Sequence, residues 1–159
     1  MRGSFLPALR GIAAGDRFYR GQLAQSLADF RAFVRQKRGQ AAGKYLPAGY
    51  VPVSSFWLVA GRRVVGLVSI RHRLNRSLQV FGGHIGYAIA PFARRRGYGT
   101  AALRLALPHA RALGIRRVLL TCSPRNIGSR RIIERNGGRF VDRKKSRQGV
   151  RLRFWIDLR

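Results

Sequence analysis

Residues 90–107, "APFARRRGYGTAALRLAL", decide how the rest of the sequence is interpreted. A strand-like segment ends at Pro91, three consecutive arginines follow, and Gly97 and Gly99 lead into a helix-like pattern that opens at Thr100. Glycine lets a backbone approach a ligand closely, and a helix N-terminus offers free N–H groups and a positive dipole end. The stretch therefore predicts a cradle for a pyrophosphate group, with the alternative that the arginines belong to a general nucleic-acid surface.

The flanking segments indicate which fold carries this loop, because the Gly-x-Gly pair matches neither the dinucleotide fingerprint nor the P-loop. "SSFWLVAGRRVVGLVSIRH" has the pattern of two strands joined near Gly61, and "LQVFGGHIGYAIAP" has that of a third strand. "RRVLLTC" is typical of a short strand buried on both faces. The tail predicts a final hairpin that turns around residues 146–149.

Three segments have helical signals. "GQLAQSLADFRAFVRQKRG" spaces its apolar residues as one helix that ends at Gly39, and the helix after the quoted loop should end at Gly114. "SPRNIGSRRIIERNGG" has both start and stop signals of a compact helix. The order of elements predicts a single α/β (α+β) domain over residues 1–159, with a mixed, mostly antiparallel sheet flanked by helices. Residues 1–50 would form a helical N-terminal part, and residues 54–158 the sheet and ligand-binding core.

Two motifs at their expected separation resemble those of the GNAT (Gcn5-related) N-acetyltransferase superfamily. The run from Arg94 to Gly99 matches the acetyl-CoA signature Arg/Gln-x-x-Gly-x-Gly/Ala, and Asn126 with Ser129 matches an Asn-x-x-Ala/Ser motif that opens the next helix. The resemblance covers residues 54–158 well and the N-terminal helices loosely. "FWLV", "SIRHRLN", "GGHIGY" and "FWIDL" resemble one uncharacterised bacterial acetyltransferase subfamily. A sheet that splays open between the "HIGYAIA" and "RRVLLTC" strands is what this resemblance implies.

The resemblance also implies a cofactor site for acetyl-CoA as co-substrate, without a metal. Backbone groups of residues 87–89 would bond the pantetheine and polarise the thioester carbonyl, and the amides of residues 95–100 would hold the pyrophosphate. Asn126, from the second motif, would contact the cofactor from the other side. The expected cofactor-binding residues are Tyr87, Ile89, Arg94, Arg95, Arg96, Gly97, Tyr98, Gly99, Thr100 and Asn126.

Direct transfer to an amine needs a base for the amine and an acid for the departing thiolate. Many family members place a tyrosine acid seven residues after the Asn, where this chain has Ile133, interpreted as a core residue. Ser129 is the candidate acid, with ordinary helix capping as its alternative role. His84 is the candidate base because it is the nearest titratable group, with a structural, hydrogen-bonded histidine or a water without a dedicated base as alternatives.

The charge is extreme: 33 Lys and Arg residues against five acids give a net charge of +28, and only four of the cations are lysines. Such a surface attracts polyanions non-specifically and repels itself. It leaves open a rival function, a nucleic-acid-associated basic protein with this fold and little catalysis, and also a compositional bias without a partner. As an enzyme, the chain should avoid polycationic acceptors and prefer an amine on an acidic or zwitterionic small molecule, a protein N-terminus or a lysine.

The cysteine content and the length of the apolar runs indicate where in the cell the protein is found. One cysteine, Cys122, suits a reducing compartment, and no apolar run approaches the roughly 20 residues that span a bilayer. These features predict a cytoplasmic protein without a membrane partner, and they leave a homodimer open.

Overall fold

The computed structural model describes residues 1–146 and 149–158. The helices are α1 Arg2–Gly15, α2 Arg17–Ala28, α3 Phe30–Ala41, α4 Arg76–Val80, α5 Tyr98–Ala112 and α6 Ile127–Arg135. The strands are β1 Val53–Ala60, β2 Arg63–Arg71, β3 Ile85–Ile89, β4 Arg117–Cys122, β5 Arg139–Ser146 and β6 Gly149–Asp157. The predicted class, a largely antiparallel sheet flanked by helices, is confirmed. None of the helices in the described ranges is both long and apolar enough to cross a membrane.

The strands form two three-stranded sheets, ordered β1-β2-β3 and β4-β6-β5, and their ladders are antiparallel. The sheets meet at a bridge between Gly83 and Leu120 and at a 2.7 Å hydrogen bond that His84 N–H donates to the Leu119 carbonyl. Beyond this junction β3 and β4 belong to separate sheets. The sheets therefore separate between β3 and β4, the two strands between which the sheet was expected from sequence to splay open.

Helices cover both faces of the first sheet. On one face, Leu103 of α5 and Ile133 of α6 join a core with Ile70 of β2 and Phe154 of β6. On the other face, α1 and α3 pack a second core that contains Phe5, Phe33 and Val64. Because side chains alternate along a strand, Ile85, Tyr87 and Ile89 point to the α5 side while Ala88 and Ala90 point to the α1 side.

Two predicted elements are wrong in detail. The single helix expected over residues 21–39 is two, because the Asp29 carboxylate accepts a 2.9 Å hydrogen bond from Ala32 N–H and starts α3 immediately after α2. The segment around Leu78 is the short helix α4 rather than strand, because the Asn75 side chain caps it and Gly82, at φ +119°, then turns the chain into β3.

Other local predictions are confirmed. β1 and β2 form the hairpin expected around Gly61, whose φ is +56°. Helix α5 ends where Gly114 takes φ +80°, although it begins at Tyr98 rather than at Thr100. The last two strands pair as the expected hairpin up to Ser146 and Gly149, and residues 147 and 148 of its predicted turn lie outside the described residues.

Candidate active site

An open cleft of about 980 Å³ lies between β3 and β4. Its lining combines β3, the loop that follows it, the N-terminus of α5, the end of β4 and the first turns of α6. The junction of α1 and α2 contributes to its lining from the other face of the sheet. A cleft of this size holds a ligand as large as a dinucleotide cofactor.

Strand β3 presents a free main-chain edge to this cleft. Ala90 N–H donates to the Val65 carbonyl at 2.9 Å, and the His84 carbonyl accepts from Arg71 N–H at 2.8 Å. Along an antiparallel strand, successive residues direct their N–H and C=O groups to opposite sides. Every second residue from His84 to Ala90 therefore bonds β2. The N–H and C=O groups of Ile85, Tyr87 and Ile89 therefore face the cleft, where an extended ligand with amide groups could pair with those that have no other partner; the Ile89 carbonyl already accepts a hydrogen bond from Arg94 Nε.

The loop after β3 is held in an unusual backbone conformation. Arg94 Nε donates a 3.2 Å hydrogen bond to the Ile89 carbonyl, which ties the loop to the strand end. Arg95 has φ +60°, a left-handed value that costs energy for a residue with a side chain, and Gly97 has φ +79° as the N-cap of α5. The chain thereby turns so that the first N–H groups of α5, which have no partner within the helix, face the cleft.

Close packing places the start of α6 beside this loop. A Cβ atom on Gly99 would lie 2.5 Å from Ile132 Cδ1, so glycine at this position lets α5 approach α6. Asn126 caps α6 by accepting a 3.0 Å hydrogen bond at Oδ1 from Ser129 N–H. The two sequence motifs, 27 positions apart between Gly99 and Asn126, therefore meet at one cleft.

The cleft brings together most of the site residues expected from sequence: Tyr87, Ile89, Arg94, Arg95, Gly97, Gly99, Thr100, Asn126 and Ser129. The lining does not include Arg96, Tyr98 or His84. The Arg96 guanidinium instead lies 5.7 Å from the centroid of the Tyr98 ring, so these two side chains contact each other. The main-chain role expected for both residues stays a prediction.

Two hydroxyl groups meet inside the cleft. Tyr87 Oη lies 2.8 Å from Ser129 Oγ, and burial raises the pKa of Tyr87 to about 12. Sequence reasoning gave Tyr87 a main-chain role and missed this contact, because 42 positions separate the two residues. Ile133, at the position where many family members have a tyrosine, is fully buried in the core as expected.

His84 lies at the junction of the sheets and is only 8% exposed. Its Nδ1 accepts a 2.9 Å hydrogen bond from Leu119 N–H, so the neutral ring carries its proton on Nε2. Burial, assisted by the positive charge of Arg71, lowers the pKa of His84 to about 4. This geometry favours the structural alternative for His84, because a ring with that pKa is a weak base at neutral pH.

The charged residues that line the cleft are six arginines and one acid, namely Arg71, Arg94, Arg95, Arg131, Arg135, Arg151 and Asp16. Guanidinium groups bind phosphates well because their donors match two oxygens at once. Among the described residues, no group of three His, Cys, Asp or Glu side chains is placed to hold a metal ion. The cleft is therefore suited to a polyanionic organic ligand.

The model of the acetyltransferase (GNAT) domain family matches residues 9–139, and the chain therefore belongs to the GNAT acetyltransferase family. No curated protein sequence matches it. Among solved structures, Mycobacterium smegmatis RimJ in complex with CoA-disulfide is 22% identical with a TM-score of 0.64, covering 82% of this chain and 61% of that one. This chain thus spans less than two thirds of that protein.

Two further structures share the fold. Microcin C7 self immunity acetyltransferase MccE, in complex with acetyl-CoA and AMP, is 14% identical with a TM-score of 0.62, covering 82% of this chain and 71% of that one. Ribosomal-protein-S5-alanine acetyltransferase from Vibrio fischeri is 15% identical with a TM-score of 0.59, covering 87% and 72%. The nucleic-acid alternative receives no support from these comparisons.

Proposed function

We propose that the chain is an acetyl-CoA-dependent N-acetyltransferase that moves an acetyl group directly to a primary amine. One observation carries the proposal. The free edge of β3, the left-handed loop and the N-terminus of α5 line a single cleft, in the order in which an extended thioester cofactor with a pyrophosphate would need them. Membership of the GNAT acetyltransferase family supports the same reaction class.

The residues of the cleft fit acetyl-CoA, which supplies the activated acetyl group as a thioester. The cleft-facing main-chain groups of Tyr87 and Ile89 would bond the amides of the pantetheine arm. The N–H groups at the start of α5 would bind the pyrophosphate, with Gly97 giving the backbone its left-handed turn. Arg94 would keep the loop in place through the Ile89 carbonyl, and Arg95, Arg131 and Arg135 would attract the phosphates.

Tyr87 and Ser129 would supply the proton for the departing thiolate. The Tyr87 phenol is protonated at neutral pH, and burial raises its pKa further, to about 12. Ser129 Oγ–H would protonate the sulfur while it takes a proton from Tyr87 Oη, 2.8 Å away, and the Tyr87 phenolate would then recover a proton from water. The proton that the amine releases would go to water, because His84 is buried at the sheet junction and its pKa is about 4. The positive surroundings would favour the neutral, nucleophilic form of the amine.

A calorimetric titration tests the proposal. ATP and acetyl-CoA both carry several negative charges, so a merely attractive surface would bind them alike. At ~150 mM salt, where long-range attraction is largely screened, we expect saturable one-to-one binding of acetyl-CoA that is at least about 10-fold tighter than that of ATP. Equal affinities, or binding of both that disappears at this salt concentration, would contradict a cofactor site. Amine-dependent release of the CoA thiol would then test the transfer itself.

A further inference from the structure

The cleft has a second set of charged residues, which lie on the face of the sheets opposite to α5 and α6. On β2, Ile70 packs in the α5 core, so its neighbour Arg71 points to the face of α1 and α2. On β6, Leu152 packs in the same core, so Arg151 also points away from α5 and α6. Asp16 lies at the junction of α1 and α2, and all three charged residues line the cleft.

Arg71 is a partly buried cation without a carboxylate partner in the described part of the chain. Its Nη1 donates to the carbonyls of Gly82 and Gly83, at 3.4 and 3.1 Å. Burial lowers the pKa of Arg71, so its charge is held at a cost. These two bonds fix the guanidinium, and no hydrogen bond to a described residue occupies its Nε or Nη2 group.

Arg151 is also held in place without an acid. Its guanidinium lies 3.9 Å from the centroid of the Phe81 ring, and Nη1 donates to the Val150 carbonyl at 3.0 Å. Arg153, on the same face of β6, instead binds Asp142 with a 2.6 Å contact from Nε. The two arginines on this face of β6 thus differ. Arg153, outside the cleft, has an internal counter-ion, whereas Arg151, which lines the cleft, has none among the described residues.

Asp16 is the acidic residue among those that line the cleft. One carboxylate oxygen, Oδ1, accepts a 2.9 Å hydrogen bond from Phe18 N–H, which fixes the side chain at the start of α2. Tyr19 is close enough to both charges to be affected by them: burial raises its pKa to about 12, Asp16 adds to this effect and Arg71 opposes it. Asp16 and Arg71 do not form an ion pair with each other, so both can meet charges of a bound molecule.

We propose that this face of the cleft binds the acceptor as a zwitterion, with its anionic group on Arg71 and Arg151 and its ammonium group attracted by Asp16. The inference rests on the proposed acetyl transfer and names the class of its acceptor: an amine on a molecule that also carries a carboxylate or a phosphate. Two guanidinium groups suit either anion, because both present paired oxygens.

Matched pairs of amines test whether Arg71 and Arg151 bind the anionic group of the acceptor. With the protein saturated with CoA, calorimetry compares alanyl-alanine with its C-terminal amide, and phosphoethanolamine with ethanolamine. We expect the anionic member of at least one pair to bind about 10-fold tighter or more, and the pair that shows it identifies the anion. Arg71→Gln and Arg151→Gln should each reduce this ratio several-fold. Arg104→Gln, which removes the same charge from an exposed site of α5 outside the cleft, should leave it unchanged.

The attraction between Asp16 and the ammonium group of the acceptor is tested separately. Both members of each pair carry the same amine, so Asp16→Asn should weaken them by a similar factor and leave their ratio unchanged. The kcat/KM values for acetyl transfer should follow the same pattern. Because Arg71→Gln could loosen the loop that contains Gly82 and Gly83, Arg71→Lys keeps the charge, and thermal stability and acetyl-CoA affinity report folding in each variant.

Each result is decisive. Equal affinities within both pairs, no binding of any member, or the same change in ratio for Arg104→Gln as for Arg151→Gln would overturn the acceptor inference. These outcomes are distinct from failure of the proposed function, which would appear as absence of acetyl-CoA binding to the wild-type protein.

Discussion

Replacing Gly97 by alanine should separate the stability of the loop from its binding role, because the chain contains a matched control. Gly97 precedes α5 with φ +79°, and Gly114 follows the same helix with φ +80°. A Cβ atom would contact nothing within 4 Å at either position. The two glycines thus share a backbone conformation and lie at opposite ends of one helix, but only Gly97 lines the cleft.

The stability cost should be the same for both substitutions. A residue with a side chain loses roughly 1–2 kcal/mol in the left-handed region, partly offset by the lower conformational entropy of unfolded alanine. The net loss of about 1 kcal/mol corresponds to a fall of roughly 2–4 °C in Tm for a chain of this size. Differential scanning fluorimetry of Gly97→Ala and Gly114→Ala measures it directly.

The effect on binding should differ. The Gly97 Cβ would occupy space beside the N–H groups of α5, where the pyrophosphate would approach. Loss of one charge-assisted hydrogen bond costs about 1.5–3 kcal/mol, so acetyl-CoA affinity should fall about 10- to 100-fold in Gly97→Ala. For Gly114→Ala we expect an unchanged Kd in the same titration. If the two variants lose affinity equally, or if Gly97→Ala binds acetyl-CoA normally, the cradle is not where we place it.

Further predictions concern chemistry, pH and salt. Tyr87→Phe should lower kcat about 10- to 100-fold with little change in acetyl-CoA affinity, and adding Ser129→Ala should cost little more because the hydroxyls act as a unit; additive losses in steady-state kinetics would contradict this. His84 has a pKa of about 4 when folded and 6.5 when unfolded, so up to about 3 kcal/mol of stability, complete above pH 6.5, should be lost as the pH falls towards 4. Thermal melts should show this loss in wild type but not in His84→Asn, and identical pH profiles would refute it. Because a net charge of +28 repels itself, Tm should rise as salt increases from about 10 to 200 mM, and a flat response would exclude dominant self-repulsion.

The sequence predicts best those features that depend on neighbouring residues. The turn at Gly97, the helix end at Gly114 and the hairpin at Gly61 each need a positive φ, which glycine adopts freely. The break at Asp29 was missed because the apolar spacing from Leu23 to Val34 continues across it at the helical period. A cap is a local hydrogen bond that leaves this periodicity unchanged.

The site was predictable only where a motif marks it. The main-chain cradle follows from the order strand, loop and helix, whereas the contact of Tyr87 with Ser129 depends on how β3 packs on α6. Asp16 and Arg71 reach the cleft from α1–α2 and from the α1 side of β2, and no spacing in the sequence connects them. Side chains that meet through tertiary packing carry no local signal, so these residues emerge only from the fold.

The use of arginine in the cleft has a consequence for chemical selectivity. A lysine beside a bound thioester would be a competing nucleophile, and its acetylation would erase the positive charge that attracts the phosphates. Arginine remains protonated at any physiological pH and has no lone pair available for attack. The cations that line this cleft are arginines, and the four lysines of the chain, Lys37, Lys44, Lys144 and Lys145, lie elsewhere. An acetyl donor bound there would thus be surrounded by attractive charges that cannot themselves be acetylated, which would protect the protein from inactivation by that donor.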